Sequence, residues 1–148
     1  MDLVGMMGGG VAVVVATASD DGRPALTRGW GPSYDDEAGV LTLAITAPAG
    51  SSTLTNLESN GAIAATVSEP LTYRTAQLKG TVEHVGAPSE ADRIAVHEHL
   101  GRFIAEVAMI GIEQDADRLF SGDLRMVSFT VDEFYDQTPG DHAGERLR

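Results

Sequence analysis

The sequence predicts a mainly β fold: a six-stranded antiparallel barrel with one long and one or two short helices, in a single domain spanning residues 1–148. Three observations predict it. Six short runs carry the alternation or β-branched content of strands. Most of them are joined by tight-turn signals. Only one stretch, Ser89 to about Ile112, has the length and apolar spacing of a long helix. A chain of this size buries roughly 70% of its unfolded surface, enough for a core of its own.

Val11 to Thr17 is β-branched and reads as a central strand. Ser19-Asp20-Asp21-Gly22 is a hairpin turn, Asp-Gly being the strong signal. Pro24 to Gly31 continues as a strand with Leu26, Arg28 and Trp30 on one face. After an acidic turn from Tyr34 to Gly39, Val40 to Thr46 alternates again, with Leu41, Leu43 and Ile45 in phase. Ala47-Pro48-Ala49-Gly50 breaks that strand, Ser51-Ser52-Thr53 opens a short helix, and Asn60-Gly61 stops it.

Ala62 to Val67 is apolar enough for a buried strand, and a long strand follows the Glu69-Pro70 break. In it Ala76, Leu78 and Val82 face one way, and Tyr73, Thr75, Gln77, Lys79 and Thr81 the other. Ser89 caps the long helix, Glu90 and Asp92 favour its positive end, and Gly111 ends it. Its expected apolar stripe is Ile94, Leu100, Ile104, Val107 and Met109 or Ile110. Asp115 to Asp123 reads as a short helix and loop. Arg125 to Tyr135 closes the sheet, with Val127, Phe129 and Val131 alternating. Residues 138–148 read as an irregular tail, and Met6-Met7-Gly8-Gly9-Gly10 as a flexible lead-in.

Composition narrows the function. The net charge is −12, with one lysine, Lys79, against nine arginines, so the basic footprint of a nucleic-acid binder is missing. Such a chain repels anions at long range, and any phosphate must be captured by local donors. With no cysteine there is no thiolate metal site and no cysteine nucleophile. The early apolar run has neither the basic flank of a secretory signal nor the roughly 20 residues of a membrane span, so a cytoplasmic protein that does not enter membranes is expected. His97 and His99 are two residues apart, about 200° around a helix, which excludes a shared metal site and reads as a solvated face. No metal site is expected elsewhere. Neither a Gly-x-Ser-x-Gly elbow nor a Ser-His-Asp arrangement is recognisable, and no catalytic acid or base is assigned.

SSTLTNLESNG (residues 51–61) and YRTAQLKG (residues 73–80), with ATASDDGRPALTRGWG before them and VDEFYDQTPG after, stand in the order and spacing of four segments of a known family. The chain resembles, over nearly its whole length, the pyridoxamine 5'-phosphate oxidase-like flavin-binding split-barrel family. The resemblance implies a split barrel and a homodimer with flavin mononucleotide (FMN) at the subunit interface. It also implies an oxidoreductase acting on a small molecule. Two departures matter. The family's Arg-Lys pair is replaced by Ser52-Thr53, and no Arg-x-His segment follows Tyr135, so oxidation of pyridoxamine phosphate itself is not expected.

Transferred residue by residue, the resemblance places Thr27, Arg28, Gly29 and Trp30 along the flavin ring, with Gly29 and Gly31 leaving room for its approach. Ser51, Ser52 and Thr53 would meet the phosphate with hydroxyls and helix N–H groups, or only cap the helix. Arg28, Arg74 and Lys79 are the nearest compensating cations, with a plain salt bridge as the alternative for Arg28 and for Arg74. Thr75 matches the family's usual glutamine, and Gln77, two residues on, is its candidate replacement. Trp30 either flanks the cofactor or packs in a core or dimer contact. Two readings stand beside the FMN oxidoreductase: a non-catalytic module for flavin or heme, and a deazaflavin-dependent reductase.

Overall fold

The computed structural model describes residues 1–119 and 122–148. Eleven elements follow one another: α1 (Leu3–Met7), β1 (Ala12–Ala18), β2 (Pro24–Asp35), β3 (Val40–Thr46), α2 (Ser52–Asn60), β4 (Ala62–Ser68), β5 (Thr75–Gly86), α3 (Glu90–Met109), α4 (Ala116–Leu119), β6 (Leu124–Asp136) and β7 (Glu145–Arg146). The strands form one antiparallel sheet in the order β3-β2-β1-β4-β5-β6-β7, and pairing of β3 with β6 closes the first six into a barrel. The expected six-stranded barrel is present, with a two-residue seventh strand added.

Alternation drives the closure. Val13, Val15, Leu41, Leu43, Ile45, Ile63, Val67, Leu78, Val127, Phe129 and Val131 all point inward and are buried. A second core lies outside the barrel, where Val96, Leu100, Phe103 and Val107 of α3 cover Trp30, Ala44 and Leu124. Trp30 meets Phe103 edge-on, with ring centroids 6.2 Å apart.

The barrel is split because two of its three long strands, β2 and β6, each change partners. From Pro24 to Arg28, β2 pairs with β1 alone, and its pairing with β3 begins only at Gly29, opposite Ile45. Similarly, β6 pairs with β3 from Leu124 to Thr130 and with β7 at Tyr135–Asp136, while β5 runs along most of its length.

Five expectations are corrected. Residues 6–10 are not a flexible lead-in: Asp2 caps α1, and Leu3, Met6 and Met7 join the barrel core. The tail is not wholly irregular, since Glu145–Arg146 pairs with the end of β6. There are three short helices rather than one or two. Tyr73 lies outside the strand, in a tight loop with φ of 61°. The apolar stripe of α3 matches the expected one at Leu100 and Val107 but differs elsewhere: Val96, His99 and Phe103 face in, while Ile94 and Met109 are exposed.

His99 is the sharpest of these differences. It is fully buried, not solvated. Its Nδ1 accepts a hydrogen bond from the Gly31 N–H at 3.0 Å, and its Nε2–H donates to the Val11 carbonyl at 2.9 Å. Desolvation pushes its pKa down to about 4 despite the Val11 bond, so the imidazole is neutral. Gly31 takes a φ of +58° here, beside a bulge in β2, a left-handed backbone that favours glycine.

Candidate functional site

The split is where the sequence-predicted residues begin to gather. Below Gly29 the edge of β2 has no strand beside it among the described residues, so its backbone N–H and C=O groups on that side face an opening. Two clefts lie along this stretch. One, of about 240 Å³, is lined by Thr27, Arg28, Thr46, Arg118 and Leu119. The other, of about 380 Å³, is lined by Ser19, Arg23, Pro24, Ala25, Gly50, Ser52, Thr55 and Asn56. The opening of α2 thus stands beside the free end of β2.

The hydroxyl cluster divides into three roles. Ser51 Oγ accepts from the Leu54 N–H and caps α2. Ser52 lines the larger cleft. Thr53 is buried, 5% exposed, and turned away from it. Beneath the helix, buried Asn56 donates to Thr17 Oγ1 at 3.0 Å and ties α2 to β1.

On β2, Arg28 is exposed in the smaller cleft and makes no ion pair among the described residues. Thr27 donates its hydroxyl to the Thr46 carbonyl across the start of the split. Gly29 corrects an expectation about space: a Cβ there would meet Val13 and Leu43 at 2.7 and 2.6 Å, so its glycine serves the barrel core and not an approaching ring. Gly31 is required by its positive φ rather than by space, since a Cβ there would reach Val96 of α3 at an ordinary 3.4 Å. Trp30, 2% exposed, lies beneath that helix and presents no face to either cleft.

The residues of β5 lie elsewhere on the same outer face. Register aligns Arg28, Val14, Thr66, Gln77 and Tyr135 in one row across five strands. Three strand spacings separate Arg28 from Gln77, about 14 Å, so one chain does not bring them together. Gln77 donates to Thr66 Oγ1 at 3.3 Å. Thr75 bonds Ser68 and the Tyr73 carbonyl through its hydroxyl, and Thr138 through its N–H. Arg74 grips Glu69 with two bonds of 2.9 and 2.8 Å, and these hold the Glu69 carboxyl below its ordinary range. Its guanidinium is occupied in fixing the β4–β5 loop.

In the next row, which runs from Leu26 through Ala16, Ala64 and Lys79 to Glu133, the last four line a shallow groove of about 420 Å³ with Ala18, Pro24 and Ala62. Lys79 stands at its edge, 4.8 Å above the Tyr135 ring. The Tyr135 hydroxyl donates to Glu133, which lowers that carboxyl and raises the phenol. Sequence reasoning missed Arg23 and Arg118. Arg118 in particular reaches the split from α4, some ninety positions after Arg28, with no spacing signal to announce it.

No family model matches the sequence, and no curated protein is a significant match. Solved structures do match. The chain is similar to an F420 reductase, with a TM-score of 0.62 and 19% identity over 90% of this chain and 96% of that one. It is similar to HupZ of Group A Streptococcus, with a TM-score of 0.57 and 17% identity over 97% of both chains. A Clostridium acetobutylicum protein related to general stress protein 26, of the pyridoxinephosphate oxidase family, gives a TM-score of 0.51 and 14% identity over 84% of this chain and 78% of that one. At such identities what is shared is the backbone plan, and this chain has the split-barrel fold of the pyridoxamine 5'-phosphate oxidase-like proteins.

Proposed function

We propose that this chain is a flavin-binding oxidoreductase of the split-barrel type, with FMN as cofactor and a small molecule as substrate. The observation that carries the reading is the split itself. There the unpaired edge of β2, the opening turn of α2 and two exposed arginines border adjoining clefts. A flavin needs edge donors and acceptors for its pyrimidine side and charge-assisted donors for its phosphate. The residues present fit those needs: backbone groups of Ala25 to Arg28 for the ring edge, and Ser52 with Arg28 for the phosphate. When bound, the flavin supplies the hydride or electron transfer, and the chain's part is to hold and orient it.

A homodimer belongs to the same reading. Gln77 lies about 14 Å from Arg28 in one chain, but a second copy laid across the outer face would bring its Gln77 and Thr75 toward the first copy's split. Val14, Ala16, Ala64 and Thr66 keep that face low enough for close contact.

The likeness to an F420 reductase supports a second reading, a deazaflavin as cofactor. A third reading, heme held without turnover, is decided by the same titration. The test is a visible spectrum of the fresh protein, followed by titration with FMN, a deazaflavin and heme. A flavin band or saturable FMN binding supports the first reading; binding of the deazaflavin alone selects the second. A colourless protein that ignores both overturns them. Reoxidation of the reduced cofactor by a candidate substrate, faster than by oxygen alone, separates an enzyme from a binding module.

A further inference from the structure

We propose that Arg28 and Arg118 together form a subsite for a phosphate group, with Arg118 replacing the cations absent at Ser52 and Thr53. The identity of the ligand, the phosphate end of FMN, rests on the flavin reading above. The subsite itself rests on geometry. Both side chains line one cleft of about 240 Å³, Arg28 from β2 and Arg118 from α4 on the opposite side of the split. The chain has only ten lysines and arginines against 22 acidic residues, so two in one small cleft is a concentration of positive charge.

The other candidate cations stand elsewhere. Arg74 is clamped by Glu69, Lys79 lies over Tyr135, and Arg23, in an exposed pair with Asp21 at 3.2 Å, lines the larger cleft. By contrast, Arg28 makes no ion pair among the described residues. Arg118 has only a long one, 4.0 Å to Asp115, between two side chains that are 88% and 61% exposed. Such a pair holds a guanidinium weakly. The Thr27 hydroxyl, which could have served an anion, is already given to Thr46. The guanidiniums are therefore the cleft's charged donors, and two of them match the nearly two negative charges of a phosphate monoester.

The experiment compares FMN with riboflavin, which lacks the phosphate, by fluorescence titration of the natural chain, Arg118→Ala, Arg118→Lys and Arg28→Ala. Each alanine variant should weaken FMN about tenfold or more. Riboflavin affinity should stay within about twofold, and Arg118→Lys should recover part of the loss. Rising salt should weaken FMN binding to the natural chain more than to the alanine variants. Unchanged FMN affinity in Arg118→Ala overturns the assignment, as does equal loss of both ligands. If the natural chain binds neither flavin, the flavin reading fails and the subsite is tested with inorganic pyrophosphate by calorimetry. Binding that Arg118→Ala abolishes sustains the subsite; no binding ends it.

Discussion

At the scale of single residues, His99 shows how a polar group is made to serve a core. Only the neutral imidazole with its proton on Nε2 satisfies both partners, because an imidazolium would set Nδ1–H against the Gly31 N–H. Its value in the fold, about 4, lies below the ordinary 6.5. The unfolded chain therefore takes up a proton below pH 6.5 that the fold excludes. Its contribution is full above 6.5 and is lost as pH falls toward 4, by roughly 1.4 kcal/mol per pH unit at the steepest. In His99→Gln, urea unfolding should lose most of the slope between pH 6.5 and 5, where carboxylates are still ionised. The same variant should cost about 1–3 kcal/mol at pH 7, because one of the two backbone groups loses its partner. An unchanged slope would sink this account. The sequence could not announce the role: the partners lie 68 and 88 positions away, and His97 beside it faces solvent.

At the scale of elements, strands were legible and the short helix α1 was not. A two-residue period survives in seven residues, so Leu41, Leu43 and Ile45 sufficed to orient β3. The signal for α1 was one turn long: an Asp2 cap, then Leu3, Met6 and Met7 at helical spacing ahead of three glycines. What makes it a helix is the barrel core beneath it, a tertiary contribution that local propensity does not carry. Met6 is 1% exposed, and Met6→Ala should cost about 3 kcal/mol in urea unfolding, whereas Val4→Ala, on the exposed side, should stay within about 0.5 kcal/mol. Equal, small effects would return the segment to the flexible lead-in read from sequence. The long helix was found, and its apolar stripe in part: Leu100 and Val107 are buried as expected, but Ile94 is not. Ile94 fits an apolar stripe as well as Val96 does, and the choice between them is made by Trp30 and Gly31 on β2, which α3 covers.

At the scale of the whole molecule, the barrel was legible because each strand rests on local pattern, and cofactor residues were expected at two places, on β2 with α2 and on β5. Their separation was not legible, since it depends on the strand order β2-β1-β4-β5, which puts two strands between Arg28 and Gln77. A site that uses both must be assembled from two copies, and this ties ligand binding to association. Val14 is the residue on which to test that link. It sits in the middle of the Arg28–Gln77 row, points outward and is 42% exposed, so a change there leaves the barrel interior untouched. In Val14→Asp each copy would bring an unpaired carboxylate into the contact, and burying such a charge is costly enough to weaken a dimer about a hundredfold or more. Sedimentation velocity at micromolar concentration should find the natural chain dimeric and the variant monomeric, with unchanged far-ultraviolet circular dichroism. FMN binding should fall in step with the dimer, because half of the ring's contacts would come from the second copy. A natural chain that is monomeric yet binds FMN would instead confine the site to the split of a single barrel, leaving Thr75 and Gln77 without a part in it.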